Sequence, residues 1–266
     1  MKAGIGVRLF ACLIALLFVT PTLIVVATSF TSGTMVVFPP NGLSLRWFEE
    51  VFADPEWLDA FANSLQVGLL AAVIAMLAGS SLAFAAGRGR GIPPGLVTAL
   101  AVLPMMVPLV VAGIGFYLVY VTIGISGGVA GLAVAHAVLG LPFVFVNVLA
   151  ALKGVDRHVE EAARACGASQ TRALVRITVP LIAPAALVGG VLAFVSSWDE
   201  VVIALFLNTP EFRTLPVVMW GQVRSGIEPS ISAVATLVTA VSLVMAGLIL
   251  LGPVLRRKLR SLWRQQ

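Results

Sequence analysis

The sequence predicts an all-α membrane protein whose chain crosses the bilayer six times. Of its 266 residues, 59% are hydrophobic and only 11% are charged, and the mean hydropathy is +1.05. In soluble domains about a quarter of the residues are charged, so this composition excludes a water-soluble globular domain. A segment inside hydrocarbon must satisfy its own backbone hydrogen bonds, and the apolar runs are therefore predicted to be helices.

Six apolar runs reach the length of about 20 residues that a helix needs to cross the hydrocarbon core. The first run resembles a secretory signal peptide, but it is longer than the apolar part of one, so we predict an uncleaved helix. We expect a single transmembrane domain, residues 1–266, with spans at 8–30, 61–86, 96–120, 129–152, 181–207 and 231–254.

Basic residues are distributed unevenly between the connections. If the amino terminus is cytoplasmic, Arg46, Arg213 and Arg224 are the only ones of the 17 lysines and arginines that fall on the outer side. This asymmetry follows the positive-inside rule and predicts that both termini are cytoplasmic. The net charge of +5 is then explained by topology and by a basic tail at the lipid surface, and no nucleic-acid partner is predicted.

The polar connections contain two further patterns. In the outer connection, residues 31–60, Leu45, Phe48, Val51 and Phe52 recur at helical spacing and predict a short amphipathic helix along the membrane surface. Cys12 lies in the first span and Cys166 in the inner connection, so no disulfide between them is expected. His136 and His158 are also separated and have no metal-ligand partner at a usable spacing, so no metal site is predicted.

The long inner connection, residues 153–180, predicts two short helices joined by a sharp turn. Asp156 is placed to cap a helix that begins near Arg157. Glu160 and Arg164 have the spacing of an i,i+4 ion pair on its polar side. The opposite side is an apolar stripe of mainly small residues: Val159, Ala162, Ala163 and Cys166.

The end of this helix and the second helix have their own signals. Gly167 stands where a left-handed C-terminal cap is expected, and Ser169 can cap the helix that follows. Pro180 and Pro184 are expected to end or redirect it. Composition alone is also compatible with an ordinary amphipathic linker that has a solvated face.

The inner connection resembles the EAA motif of the permeases of ABC importers. Its elements are Glu161-Ala162-Ala163, then Gly167, Ile177 and Val179-Pro180, where the family more often has Leu-Pro. The stretches Asn63–Leu65 and Leu103–Gly115 are also similar to these permeases. The segments 196–207 and 212–237 are similar to the spermidine/putrescine-type branch.

This resemblance implies a type I ABC-importer permease in the bacterial inner membrane, with no catalytic activity of its own. The implied partners are a second permease subunit, forming a heterodimer, two ATP-binding subunits that carry ATP and Mg²⁺, and a periplasmic or secreted substrate-binding protein. The lysines do not occur in a phosphate-binding GxxxxGK[ST] loop, which agrees with a separate ATPase. The ATPase-coupling residues carried over are Glu160, Glu161, Ala162, Ala163, Gly167, Ile177 and Pro180.

Asp199 and Glu200 are the only acidic residues inside a predicted span. An ionised side chain at the membrane centre costs about 2.5–3.5 kcal/mol, so such residues often line a solute pathway. The neighbouring Trp198 could attract an ammonium group by its ring face. These three residues are therefore candidates for contact with a cationic solute such as a polyamine, but adjacent positions point about 100° apart on a helix, so we do not expect both acids to face one cavity. The alternative is two hydrated acids at the outer interface, with Trp198 as an interfacial anchor.

Other interpretations remain open at this point. Within the family, the solute could be thiamine, ferric iron, sulfate or an opine. An ion-coupled secondary transporter would contain paired broken spans and buried coupling acids. An intramembrane enzyme would need a nucleophile–base pair or metal ligands. His136, which is predicted to be a packed, hydrogen-bonded core residue, has no partner that the sequence reveals.

Overall fold

The computed structural model describes residues 4–89, 91–125 and 127–263, with side chains described up to residue 247. Within these ranges every regular element is a helix, and two isolated β-bridges join Thr31 to Leu43 and Thr209 to Phe212. The predicted all-α class is confirmed.

The α-helices of the described ranges follow one another with short connections. They are α1 Ile5–Ser29, α2 Arg46–Ala53, α3 Pro55–Arg88, α4 Pro94–Val102, α5 Leu109–Ile123, α6 Val129–Lys153, α7 Arg157–Ala165, α8 Gln170–Ala173, α9 Val179–Trp198, α10 Val202–Leu207, α11 Leu215–Ser225 and α12 Pro229–Trp263. A 3₁₀ turn, Leu103–Met106, follows α4, and a π turn, Leu174–Thr178, joins α8 to α9.

Five helices in the described ranges are long and apolar enough to cross a membrane, and a sixth span arises if one bent pair is counted together. The bent pair corresponds to the third predicted span, 96–120. It consists of Pro94–Met106 and Leu109–Ile123, which meet at 102°. The break is explained by Pro108, because a proline disfavours the helical conformation of the residue before it, and Val107 is extended with ψ 126°.

The fifth predicted span, 181–207, has different limits in the structure. Helical backbone begins at Gln170, continues to Trp198, and is separate from α10. Pro180 and Pro184 therefore do not end the helix. In the π turn the Val179 N–H donates to the Leu174 carbonyl five residues back, and this wider turn accommodates the ring of Pro180.

The chain divides into two compact units, of which the first comprises residues up to 59 together with 218–244. In this unit the Thr28 hydroxyl donates to the Ser232 hydroxyl and so joins α1 to α12. The short helix predicted in the connection 31–60 is present as α2, but of its predicted apolar stripe Val51 is buried whereas Leu45 and Phe52 are exposed. Trp47 and Val51 are its buried residues, and the Trp47 indole N–H donates to the Gly33 carbonyl.

The second unit comprises residues 60–217 together with 245–266, and its core is built on the antiparallel pair α6 and α9. Small residues allow the two backbones to approach closely. A Cβ atom added to Gly189 would lie 2.5 Å from Val144 Cα, and one added to Gly140 would lie 2.6 Å from Ala193 Cβ. Such small-residue contacts are typical of helix pairs in membranes, where close van der Waals packing replaces the hydrophobic driving force.

Candidate functional site

The loop between α6 and α9 has the two-helix structure that its sequence predicts. The Asp156 carboxylate accepts a hydrogen bond from the His158 N–H and caps α7. At the other end the Ala168 N–H donates to the Ala163 carbonyl, and the Gly167 N–H donates to the Arg164 carbonyl. Gly167 has φ +88°. These are the bonds of a Schellman motif, which requires a left-handed residue at this position.

The second helix of the loop begins at its predicted cap. The Ser169 hydroxyl accepts a hydrogen bond of 3.2 Å from the Arg172 N–H. Helical backbone then runs through α8 and the π turn into α9. The loop is therefore an extension of α9 at one side and is joined to α6 at the other by residues 154–156 only.

Most of the motif residues in this loop are accessible. Glu161, Ala162, Gly167 and Pro180 are exposed, whereas Ala163 and Ile177 are half-buried. All nine residues of α7, which the structure describes in full, keep part of their surface accessible. The apolar stripe of α7 also includes Val159 and Cys166, and both are exposed; of its four residues only Ala163 is partly covered by the part of the chain that the structure describes.

Glu160 differs from the other motif residues because its side chain is directed towards neighbouring helices. Its Oε1 accepts a 2.7 Å hydrogen bond from the Thr178 hydroxyl and lies 3.4 Å from Arg88 Nε. The predicted pairing with Arg164 is replaced by these contacts. The sequence did not reveal these partners, because Arg88 is 72 positions from Glu160 and Thr178 stands at a position of the motif that carries no characteristic residue.

Trp198, the last residue of α9, is buried among aromatic rings. It is 1% exposed, stacks on Phe194 with 5.6 Å between ring centroids, and makes a T-shaped contact with Phe61 at 5.3 Å. Within the described residues its indole N–H has no hydrogen-bond partner. In this conformation an ammonium group could reach the indole only after the surrounding side chains move.

Asp199 and Glu200 lie in the break between α9 and α10 and have opposite environments. Asp199 is exposed at the carboxyl end of α9. Glu200 is buried, and its two carboxylate oxygens accept hydrogen bonds from the N–H groups of Ile203 and Ala204. The carboxylate therefore binds free N–H groups in the first turn of α10, where the helix dipole favours negative charge.

His136 of α6 is bonded in the core, as predicted, and the structure supplies its partners. Its Nδ1 lies 2.7 Å from the Ser197 hydroxyl, and its Nε2 lies 3.2 Å from Glu200 Oε2. The second contact is not aligned for a hydrogen bond and is an electrostatic contact. Both Glu200 oxygens are acceptors, so the tautomer of His136 that fits this site carries its ring hydrogen on Nε2, next to Glu200. Nδ1 then accepts a hydrogen bond from the Ser197 hydroxyl.

This serine, histidine and carboxylate do not have the features of a catalytic triad. In such a triad the serine bonds Nε2 and the carboxylate bonds Nδ1, whereas here the two nitrogens are exchanged. All three side chains are buried, and Glu200 is already bound to α10. We interpret the group as a polar packing network that joins α6, α9 and α10. Among the described residues, no cluster of three or more His, Cys, Asp or Glu is placed to hold a metal ion.

We predict that replacing Glu200 with alanine destabilises the protein more than the same change at Asp199. Loss of the Glu200 carboxylate leaves the two buried N–H groups of Ile203 and Ala204 without their acceptor, at a cost of about 1.5–3 kcal/mol for hydrogen bonds to a charged group, and removes the electrostatic contact with His136. Asp199→Ala removes an exposed carboxylate and should have a smaller effect. Thermal unfolding in detergent measures both, and equal midpoints would contradict the role assigned to Glu200.

Comparison with known proteins identifies the family of the chain. Residues 76–261 match the family described as the inner membrane component of binding-protein-dependent transport systems. The chain is 33% identical over 225 residues to the spermidine/putrescine transport system permease protein PotC of Escherichia coli K12, with 85% of each chain covered. It is 33% identical over 229 residues to the putrescine transport system permease protein PotI of the same organism, with 82% of this chain and 80% of the relative covered.

A solved structure has the same fold. A bacterial ABC transporter involved in the import of the acidic polysaccharide alginate gives a TM-score of 0.68 at 18% identity, covering 97% of this chain and 99% of that one. Because the identity is low, this similarity shows a shared fold and carries no information about the solute. The chain is a multi-pass inner-membrane protein and belongs to the family of binding-protein-dependent ABC transport permeases.

Proposed function

We propose that this chain, paired with a second permease subunit, forms the pathway by which a solute crosses the membrane. Two ATP-binding subunits, holding ATP and Mg²⁺, would supply the energy, and a periplasmic or secreted binding protein would deliver the solute. The chain itself would catalyse no reaction. The main support is the loop between α6 and α9, in which a capped helix presents an uncovered apolar stripe at the predicted cytoplasmic side.

The loop has the connections that such coupling requires. Its second helix is continuous with α9, and its first follows α6 after a short turn. When ATP closes the ATP-binding subunits, a bound α7 would be displaced with them, and the displacement would reach the closely packed α6–α9 pair. The transporter could then alternate between inward-open and outward-open states. ATP drives this change only to the extent that it binds the two states with different affinities.

We further propose that the solute is a polyamine. The similar permeases of Escherichia coli are named for spermidine and putrescine transport. Asp199 supports the proposal because an exposed carboxylate in the break between α9 and α10 can attract an ammonium group. Glu200 would act indirectly by holding α10, since both of its oxygens already accept hydrogen bonds.

Replacing Gly167 with valine should weaken binding of the ATP-binding subunits without preventing membrane insertion. A β-branched side chain disfavours the φ of +88° and would distort the turn after α7. The matched control is Gly167→Asn, because asparagine tolerates the left-handed conformation. Co-purification with the ATP-binding subunits measures the effect. Undiminished recovery with Gly167→Val would count against docking through this loop.

Replacing Asp199 with asparagine should reduce spermidine uptake into proteoliposomes that contain the complete transporter. The change removes the carboxylate charge and keeps the side-chain volume, so assembly should be unaffected. Asp59→Asn, at another exposed aspartate on the predicted outer side, is the control. Normal uptake by Asp199→Asn would remove this residue from the solute pathway.

A further inference from the structure

Arg88, in the last turn of α3, binds the end of a neighbouring helix. Its Nη2 donates to the Val155 carbonyl at 2.7 Å and to the Leu152 carbonyl at 3.4 Å. Leu152 lies in the last turn of α6, and Val155 lies in the short link to α7. The final carbonyls of a helix have no intrahelical donors and carry partial negative charge, so a guanidinium stabilises them.

Arg157, the first residue of α7, makes the reciprocal contact. Its Nη2 donates to the Gly87 carbonyl at 2.6 Å, in the last turn of α3. Arg88 of α3 thus binds carbonyls just before α7, and Arg157 of α7 binds a carbonyl near the end of α3. Through them the end of α3 is joined both to the end of α6 and to the start of α7, although α3 is distant from both in the sequence.

Glu160 adds the acidic partner to this group. Its carboxylate lies 3.4 Å from Arg88 Nε, at an angle that makes the contact an ion pair without a hydrogen bond. The same oxygen accepts the hydrogen bond from the fully buried Thr178 of the π turn. The side chains of Arg88 and Glu160 are only 17% and 22% exposed. Water therefore compensates poorly for the loss of either partner.

We propose that these four residues, Arg88, Arg157, Glu160 and Thr178, form a clasp that makes α7 move as one body with α3. Covalent connections already join the loop to α6 and α9, and among the described residues the clasp supplies hydrogen bonds and an ion pair between the loop and the end of α3. Arg88 and Glu160 are thus positioning residues. Through them a displacement of the loop would move α3 as well as α6 and α9. This inference rests on the proposed coupling to ATP-binding subunits.

The rigidity of the clasp can be measured without knowledge of the solute. Spin labels are placed at Leu77→Cys in α3 and Arg164→Cys in α7, with Cys12 and Cys166 replaced by serine, in the assembled transporter. We expect the same label-to-label distance without nucleotide and with trapped ATP. Arg88→Gln should make this distance depend on nucleotide. A distance that changes while Arg88 is intact, or that Arg88→Gln leaves constant, would overturn the proposal.

A functional measurement separates coupling from a purely structural role. In proteoliposomes, Arg88→Gln should raise the ATP hydrolysed per spermidine imported by about tenfold, within the usual range of coupling between sites. Glu160→Gln keeps an acceptor for Thr178 and removes the charge that faces Arg88, so it should act in the same direction. The double variant should be no worse than the poorer single variant, because both changes break one contact. Arg8→Gln, at an exposed arginine of α1, is the control.

The outcomes distinguish this inference from the proposed function. A purely structural role would reduce the yield of transporter and leave the ratio of ATP to spermidine unchanged. An unchanged ratio in Arg88→Gln overturns the clasp while the proposed function stands. An assembled transporter with intact Arg88 that hydrolyses no ATP overturns the proposed function and the clasp with it. If ATP is hydrolysed and spermidine is not imported, the polyamine assignment fails and the spin-label distances decide on the clasp.

Discussion

Close packing of α6 against α9 is the constraint on which both candidate sites depend. The helices are antiparallel, with Gly140 near Ala193 and Val144 near Gly189. This register brings His136 to Ser197 at one end of the pair and leaves the α7-containing loop at the other. Dense packing transmits displacement because it has no voids to absorb it. A movement of the loop can therefore reach the segment that carries Asp199 and Glu200.

Charged side chains hold the structure together where the helices end. At the predicted cytoplasmic end, arginines bind the last carbonyls of α3 and α6, and Glu160 balances Arg88. At the opposite end, Glu200 binds the first N–H groups of α10. At both ends the cause is the same. Helix termini leave backbone groups unpaired, and the partial charges of these groups attract side chains of opposite charge.

Features set by neighbouring residues in the chain could be predicted from the sequence. Asp156, Gly167 and Ser169 cap helices by bonds to residues two to five positions away, so their roles follow from local spacing. The spanning helices were predicted by hydropathy, which needs no knowledge of packing. The continuation of the helix through Pro180 was not predicted, because it depends on a π turn that has no clear sequence signal.

Features that depend on tertiary contacts could not be predicted. Glu160 has a helical neighbour in Arg164, yet it pairs with Arg88 of a different helix. Glu200 was expected in a continuous span, but the helix ends at Trp198, and the carboxylate is used to start α10. His136 finds Ser197 only because α6 and α9 pack in a particular register. The contacts of Glu160 with Arg88 and of His136 with Ser197 join residues more than 60 positions apart, and the spacing of residues in the sequence does not reveal such pairs.

The central claim is that the exposed stripe of α7 binds an ATP-hydrolysing subunit. It is tested most directly by placing a photo-crosslinking amino acid at Ala162 in the purified transporter and identifying the captured polypeptide by mass spectrometry. The account predicts capture of the ATP-binding subunit from Ala162 and not from Arg8 in α1. Capture of lipid alone from Ala162, or equal capture of that subunit from both positions, would contradict it.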